Sequence, residues 1–308
     1  MSLHVIKSGF LTLLQDYGRY GYQDIGLTHS GPLDEHAYLW ANRLLANHHN
    51  AAQLEISYGV FSAQFLEDTI IALCGADLNA AINDKAVLPW QTVNIQKGDV
   101  ITFSSPATGL RCYLAVKGGF EVEKTLGSVA TVVREKLGGL NGDGVRLAAG
   151  DSIIYQKFGC QVTARVPEKY IPVYKKSITL RFIPNVSIAS AGVEALDIFQ
   201  RRVYTITQNI DRMGYRLSGE PISASLTGIV SQGVSVGAIQ LPQDGQPIVL
   251  MKDRQTMGGY PLIGCVSALD LPLLAQSAPG VKVKFKVADI DALEAELLAH
   301  KRFFNTRV

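Results

Sequence analysis

Three absences narrow the possibilities. No apolar run approaches the roughly 20 residues a helix needs to span a bilayer. The amino-terminal stretch MSLHVIKSGFLTLLQDYGRYGY lacks the basic start, long apolar centre and small-residue cleavage site of a secretory leader. The chain is therefore expected in the cytoplasm, with no membrane partner. Cysteine is scarce: Cys74, Cys112, Cys160 and Cys265 stand far apart, each in or beside an apolar segment. They read as reduced core thiols, not as a disulfide frame or a metal clip. The six histidines show no ligand spacing, so no metal is expected.

Phosphate-binding signatures are missing as well. There is no GxxxxGK followed by Ser or Thr and no GxGxxG after a strand, the usual backbone cradles for nucleotides. Nor is there a GxSxG elbow, and no Cys/His pair stands out as a nucleophile with its base. A net charge of +2 with dispersed basic residues builds no concentrated positive face, which argues against nucleic acid. The glycines of GGLNGDG at 138–144 either turn N–H groups toward an anion or form a solvated hairpin loop.

What is there suits a globular protein. Hydrophobic residues are 47% and charged residues 18% of 308 positions, enough for a sizeable core and long enough for two lobes. Most segments are short and β-like, among them TIIALCGADLNAAI, LRCYLAVKGGF, SITLRFIP and VKVKFKV, each bounded by turn residues. Helices are few. One is expected after Asp34, an acidic cap ahead of Ala37, Trp40, Ala41 and Leu44. Two more fit VEALDIFQRRVY, with Leu196, Phe199 and Val203 on one side, and DIDALEAELLAHKRFF, with Ile290, Leu293 and Leu297. A turn-then-strand pattern recurs in GDVITF at 98–103, GDSIIY at 150–155 and GVKVKF at 280–285, either by convergent turn chemistry or from two related β-barrel lobes. The proline-bearing VPEKYIPVYKK at 166–176 reads as a linker. The expected architecture is mostly β with a few helices in two lobes. Residues 1–170 form an N-terminal β-rich lobe, and residues 171–308 a C-terminal β-barrel lobe ending in a helix.

Three polar clusters carry the chemistry. In QDYGRYGYQDIGLTHSGPLDEHA, Arg19, His29 and Asp34 sit among glycines that permit a rigid loop; Asp34 is either a site residue or a helix cap. In DRMGYRLSGE, Arg212 and Arg216 offer fork-shaped donors for carboxylates or phosphates, with Asp211 placed to hold one. In GAIQLPQDGQPIVLMKDRQTMGGYP, a buried apolar run breaks into Lys252, Asp253, Arg254, Gln255 and Thr256. Polar groups there would cost several kcal/mol if buried without partners. They line a concave polar site or tie up a structural loop.

At these residues the chain resembles the KipA-like family, also called allophanate hydrolase subunit 2 or carboxyltransferase subdomain family, over about residues 8 to 286. The longest motif, GAIQLPQDGQPIVLMKDRQTMGGYPLIG, is the most specific. The chain departs from the family at His29, where proline is frequent, at Pro32 and Leu33, which replace an Ala-Met pair, and at Ala46, where glycine is usual.

The resemblance implies a cyclophilin-like β fold. It also implies a KipI-like partner (PxpB) and a LamB/YcsF-like one (PxpA), which together open 5-oxoproline to glutamate while splitting ATP held by the assembled complex. Fused relatives act as carboxyltransferase components of biotin-dependent carboxylases, and another relative is a non-enzymatic antagonist of a KipI-like kinase inhibitor. This chain has no biotin-attachment segment. Membership fixes fold better than reaction, so the candidate residues rest on motif membership and chemistry. Asp211, Arg212, Asp253 and Arg254 are the catalytic candidates. Arg19, Asp34, Gln240, Gln255, Thr256, Gly258, Gly259 and Tyr260 are the substrate-binding candidates.

Overall fold

The structure, a computed structural model, describes residues 1–185, 193–222 and 231–306. The chain divides into two compact units. The first joins Met1–Arg19 to Ser30–Tyr174, and the second joins Tyr20–His29 to the chain from Lys175 onward.

The first unit holds a seven-stranded and a five-stranded sheet. One apolar cluster draws Leu3, Val5, Phe61, Phe65, Ile101 and Ile153 from the larger sheet and Leu54, Ile56, Ile71, Leu73 and Leu114 from the smaller. The alternate residues Ile70, Ala72 and Cys74 of strand Thr69–Asp77 are buried too. The reason is the helix Glu35–Leu44 (α1), which packs on that strand and on Thr108–Val116. Both faces of these strands are therefore apolar, which explains the unbroken run TIIALC.

Helix α1 starts and stops as its ends dictate. The Asp34 carboxylate accepts a bond from the Ala37 N–H at 2.9 Å, so Asp34 is a true cap. At the other end Ala46 N–H bonds Arg43 O at 3.0 Å and Asn47 N–H bonds Asn42 O at 2.9 Å. This reciprocal pair is a Schellman closure, which needs its first residue past the cap in the left-handed region. Ala46 occupies it at φ 48°.

The second unit is built on a closed barrel of seven strands. Its seam is the pairing of Lys282–Val287 in parallel with Ser177–Pro184, while the same strand runs antiparallel to Tyr204–Ile210. The helix Val193–Arg201 (α2) brings Phe199 against Phe285, their rings stacked at 4.6 Å, and edge-on to Phe182 at 5.4 Å. Val203 lies beyond the end of α2 and is exposed, so it does not extend that apolar side as its spacing suggests. A short helix Leu271–Ala275 (α3), opened by a proline, escapes the sequence reading because five residues hold too little periodicity. The last helix, Ile290–Phe304 (α4), is capped by Asp289 and buries Leu293; Ile290, at its first turn, is exposed.

The three recurring turn-strand segments do share a local conformation: Gly98, Gly150 and Gly280 have φ 94°, 96° and 90°. Of the four cysteines, Cys74 and Cys112 are buried and burial pushes both thiols well up. Cys160 corrects the expectation of core thiols. It is exposed in a loop after Phe158 and Gly159, outside any strand.

Because a left-handed alanine carries a strain that glycine lacks, Ala46→Gly should raise stability by about 1 kcal/mol. Denaturant unfolding with an unchanged slope and a higher midpoint is the expected result.

Candidate functional site

The barrel brings two of the three polar clusters together before any side chain acts. Ile248–Leu250 pairs on one side with Gly214–Ser218 and on the other with Ala238–Gln240. Beyond the strand ends, Met251 N–H reaches Met213 O and Asp253 N–H reaches Arg212 O, each at 2.8 Å. Residues 212 and 253 are thus held side by side by backbone. Their side chains complete a two-point ion pair: Arg212 Nε to Asp253 Oδ2 at 2.8 Å and Nη2 to Oδ1 at 2.9 Å, both residues buried.

Asp211, the neighbour expected to orient an arginine, instead accepts from Met213 N and Gly214 N and closes its own turn. A short aspartate reaches the N–H groups two and three residues on more readily than a guanidinium. Arg216 is half-buried and pairs with Asp244.

Arg254 differs from Arg212. It is 3% exposed. Its Nε donates to Val234 O at 3.0 Å, its Nη1 meets His29 Nδ1 at 3.4 Å, and among the described residues no carboxylate lies within ion-pair distance. Burial lowers its pKa to about 10. His29 belongs to the Tyr20–His29 segment of the same unit, which is anchored there by Thr28 Oγ1 donating to Lys252 O at 2.9 Å. Its ring stacks on Tyr20 with centroids 5.1 Å apart. Burial first, then the charges of Lys252 and Arg254, drive its pKa from 6.5 to about 2. Since a guanidinium only donates, Nδ1 is the acceptor and the single ring proton is on Nε2.

Beside these groups Gln240 is 2% exposed. Gln255 Nε2 donates to its Oε1 at 3.4 Å, and among the described residues the Gln240 Nε2 has no hydrogen-bond partner. A Cβ on Gly258 would stand 2.4 Å from that nitrogen and 3.2 Å from Val234 Cγ1, so the glycine makes room for the amide. Thr256 is half-buried and its carbonyl accepts from Val234 N. Gly259 and Tyr260 are exposed, the latter 47%. The stretch after the buried strand therefore grades from buried charge at Lys252–Arg254 to an open rim at Met257–Tyr260.

Arg19 and Asp34 belong to the first unit. Arg19 donates to the carbonyls of Thr125, Ser128 and Ala130, and Gly138 of the glycine-rich loop packs against its Nη2. Asp34 caps α1 and donates its own N–H to the Tyr113 hydroxyl oxygen, and that hydroxyl in turn donates to Glu55 at 2.6 Å. Two polar residues with buried partners, Glu55 of the first unit and His29 of the second, were not among the candidate residues. Glu55 lies in an otherwise buried strand, and its charge there was the available signal. His29 stood in the first polar cluster and as a departure from the proline that is frequent at its position, but nothing local tied it to Arg254.

Two outcomes follow from the buried charges. Asp253→Ala leaves Arg212 buried without its carboxylate and should cost about 3–5 kcal/mol, whereas Arg212→Met with Asp253→Leu should recover most of that loss. Equilibrium unfolding of the three proteins measures it. For His29 the sign is set by a folded pKa below the unfolded one: the unfolded chain binds the extra proton, so its contribution is intact above pH 6.5 and is lost as pH falls toward 2. The slope is up to about 1.4 kcal/mol per pH unit, and His29→Gln should flatten it in urea titrations run from pH 7 to 4.

Among the described residues no helix is long and apolar enough to cross a membrane, and no group of three His, Cys, Asp or Glu is placed to hold a metal ion. The family model for "Carboxyltransferase domain, subdomain A and B" matches residues 25–287. Two 5-oxoprolinase C subunits are similar along most of their length. That of Escherichia coli (strain K12) is 33% identical, over 98% of this chain and 96% of that protein. That of Haemophilus influenzae is 30% identical, over 94% of this chain and 91% of that protein. The crystal structure of the K. lactis urea amidolyase superimposes with a TM-score of 0.91 at 24% identity, covering 98% of this chain and 20% of that one. A barrel carrying the polar cluster, a match over most of the length and end-to-end relatives agree: the chain belongs to the carboxyltransferase-domain, subdomain A and B family.

Proposed function

We propose that this chain is a subunit of an ATP-dependent 5-oxoprolinase, an amide hydrolase that is active only with a KipI-like and a LamB/YcsF-like subunit. The observation that carries the reading is how much of each relative is matched. The two 5-oxoprolinase C subunits are matched over 96% and 91% of their own residues, whereas the urea amidolyase match occupies 20% of a much longer chain. The identity to those two subunits, 33% and 30%, also exceeds the 24% of the urea amidolyase match.

The chemistry suits the cluster. A lactam resists water, so its carbonyl oxygen attacks the γ-phosphorus of ATP and ADP departs. Water adds to the activated carbon, the ring C–N bond breaks with the nitrogen taking a proton, and a γ-acyl phosphate results. A second water cleaves it to glutamate and phosphate. Guanidinium groups stabilise the charge that builds on the transferring oxygens, and Gln255, Thr256 and Tyr260 offer hydrogen bonds to hold the ring. Asp253, turned to Arg212, orients that arginine and is not placed as a free base. The family description favours one second reading, a carboxyltransferase component working with a biotin carrier.

With all three subunits present, Arg254→Ala should abolish ATP-dependent glutamate formation from 5-oxoproline. An undiminished rate removes Arg254 from the site. Carboxyl transfer from a biotin carrier, with no lactam turnover, would favour the second reading.

A further inference from the structure

Arg254 and Gln240 are both buried, and among the described residues Arg254 has no carboxylate partner and the Gln240 amide nitrogen no acceptor. Among the described residues Arg254 has a carbonyl and an imidazole as partners. Gln240 has its oxygen engaged by Gln255 and its amide nitrogen orphaned. The two are neighbours through Val234, which takes the Arg254 Nε bond at its carbonyl and lies against Gly258, the residue whose missing side chain accommodates the Gln240 amide. Asp253, the nearest acid in sequence, turns both oxygens to Arg212.

We infer that these groups form a two-point subsite for a small molecule carrying both a carboxylate and an amide carbonyl: Arg254 takes the carboxylate, the Gln240 Nε2 donates to the carbonyl oxygen, and His29 positions the guanidinium. This assignment rests on the lactam-hydrolase reading for the ligand's identity. A buried cation attracts an anion most strongly when nothing nearby already neutralises it. An aspartate or glutamate at position 29 would fix the Arg254 side chain equally well but cancel its charge. A neutral imidazole, accepting through Nδ1, fixes the geometry and leaves the charge for the ligand. A buried amide donor without a partner is likewise expensive in the empty protein and favours whatever supplies an acceptor. Its demand for an oxygen distinguishes a lactam from a plain carbocycle.

Three probes separate the two contacts: L-5-oxoproline, 2-pyrrolidinone, which lacks the carboxylate, and cyclopentanecarboxylate, which lacks the amide. Binding is read by ligand-detected NMR on the full chain, alone and with its two partner subunits. The wild type should bind 5-oxoproline at least about tenfold more tightly than either analogue. In Gln240→Leu, 5-oxoproline and cyclopentanecarboxylate should bind alike. The thermal midpoint of that variant should equal or exceed the wild type, because the orphan donor is gone. His29→Asp supplies the missing counter-charge and should erase the preference for 5-oxoproline over 2-pyrrolidinone in a chain that still unfolds cooperatively.

Equal binding of the three probes by the wild type, binding of none in either setting, or unchanged selectivity in both variants overturns the subsite. If the assembled subunits fail to turn over 5-oxoproline while the wild-type selectivity persists, the subsite stands and the lactam-hydrolase reading falls. Turnover by Gln240→Leu with an unaltered KM has the opposite meaning.

Discussion

One carboxylate cannot neutralise two guanidinium groups, and in the barrel unit that shortage organises the polar cluster. Asp253 meets Arg212 through both oxygens, in a geometry the backbone has already imposed by pairing residue 253 with residue 212. Arg254, one residue on, is left with a carbonyl and a ring nitrogen. The first arginine is thereby held in an ion pair, and the second has no carboxylate partner among the described residues, although both sit in equally polar motifs. Buried ion pairs contribute little net stability compared with apolar packing of the same volume. What this one provides is placement: it fixes the strand ends from which Lys252, Arg254 and Gln255 project.

The barrel is what makes such an arrangement tolerable. Phe182, Phe199, Tyr204 and Phe285 fill one part of the unit with interlocking rings. Such apolar packing supplies the surplus from which buried, incompletely paired donors can be sustained. The first unit carries its own buried polar networks. Glu55, Tyr113, Asp34 and the Leu33 N–H make a chain of short bonds around the start of α1, and Asp16 holds Ser128 and the Val129 N–H.

Local features were legible in the sequence and non-local ones were not. The Asp34 cap, the apolar stripe of α1 and the turn glycines at 98, 150 and 280 depend on neighbours within a few residues, and each stands where its pattern points. The polar break after PIVLM was equally visible. Its partner was not, because Asp211 is adjacent to Arg212 while Asp253 is 41 positions away, and only the strand pairing reveals which one is near. Nor does spacing show that Lys282–Val287 lies parallel to Ser177–Pro184, a pairing across about a hundred residues of intervening chain. His29 carried the weakest signal, since its role comes entirely from an arginine 225 residues further on.

The parallel seam also sets an order of events during synthesis. Strand Ser177–Pro184 leaves the ribosome long before Lys282–Val287, the last strand of the barrel, exists to cover its edge. At ~5–20 residues per second the wait is several seconds to tens of seconds. Throughout that interval the nascent chain exposes an unpaired β edge, the kind of surface on which chains stick to one another. A chaperone or a partner protein that shields this edge during translation would improve the yield of soluble protein without touching the finished molecule's stability.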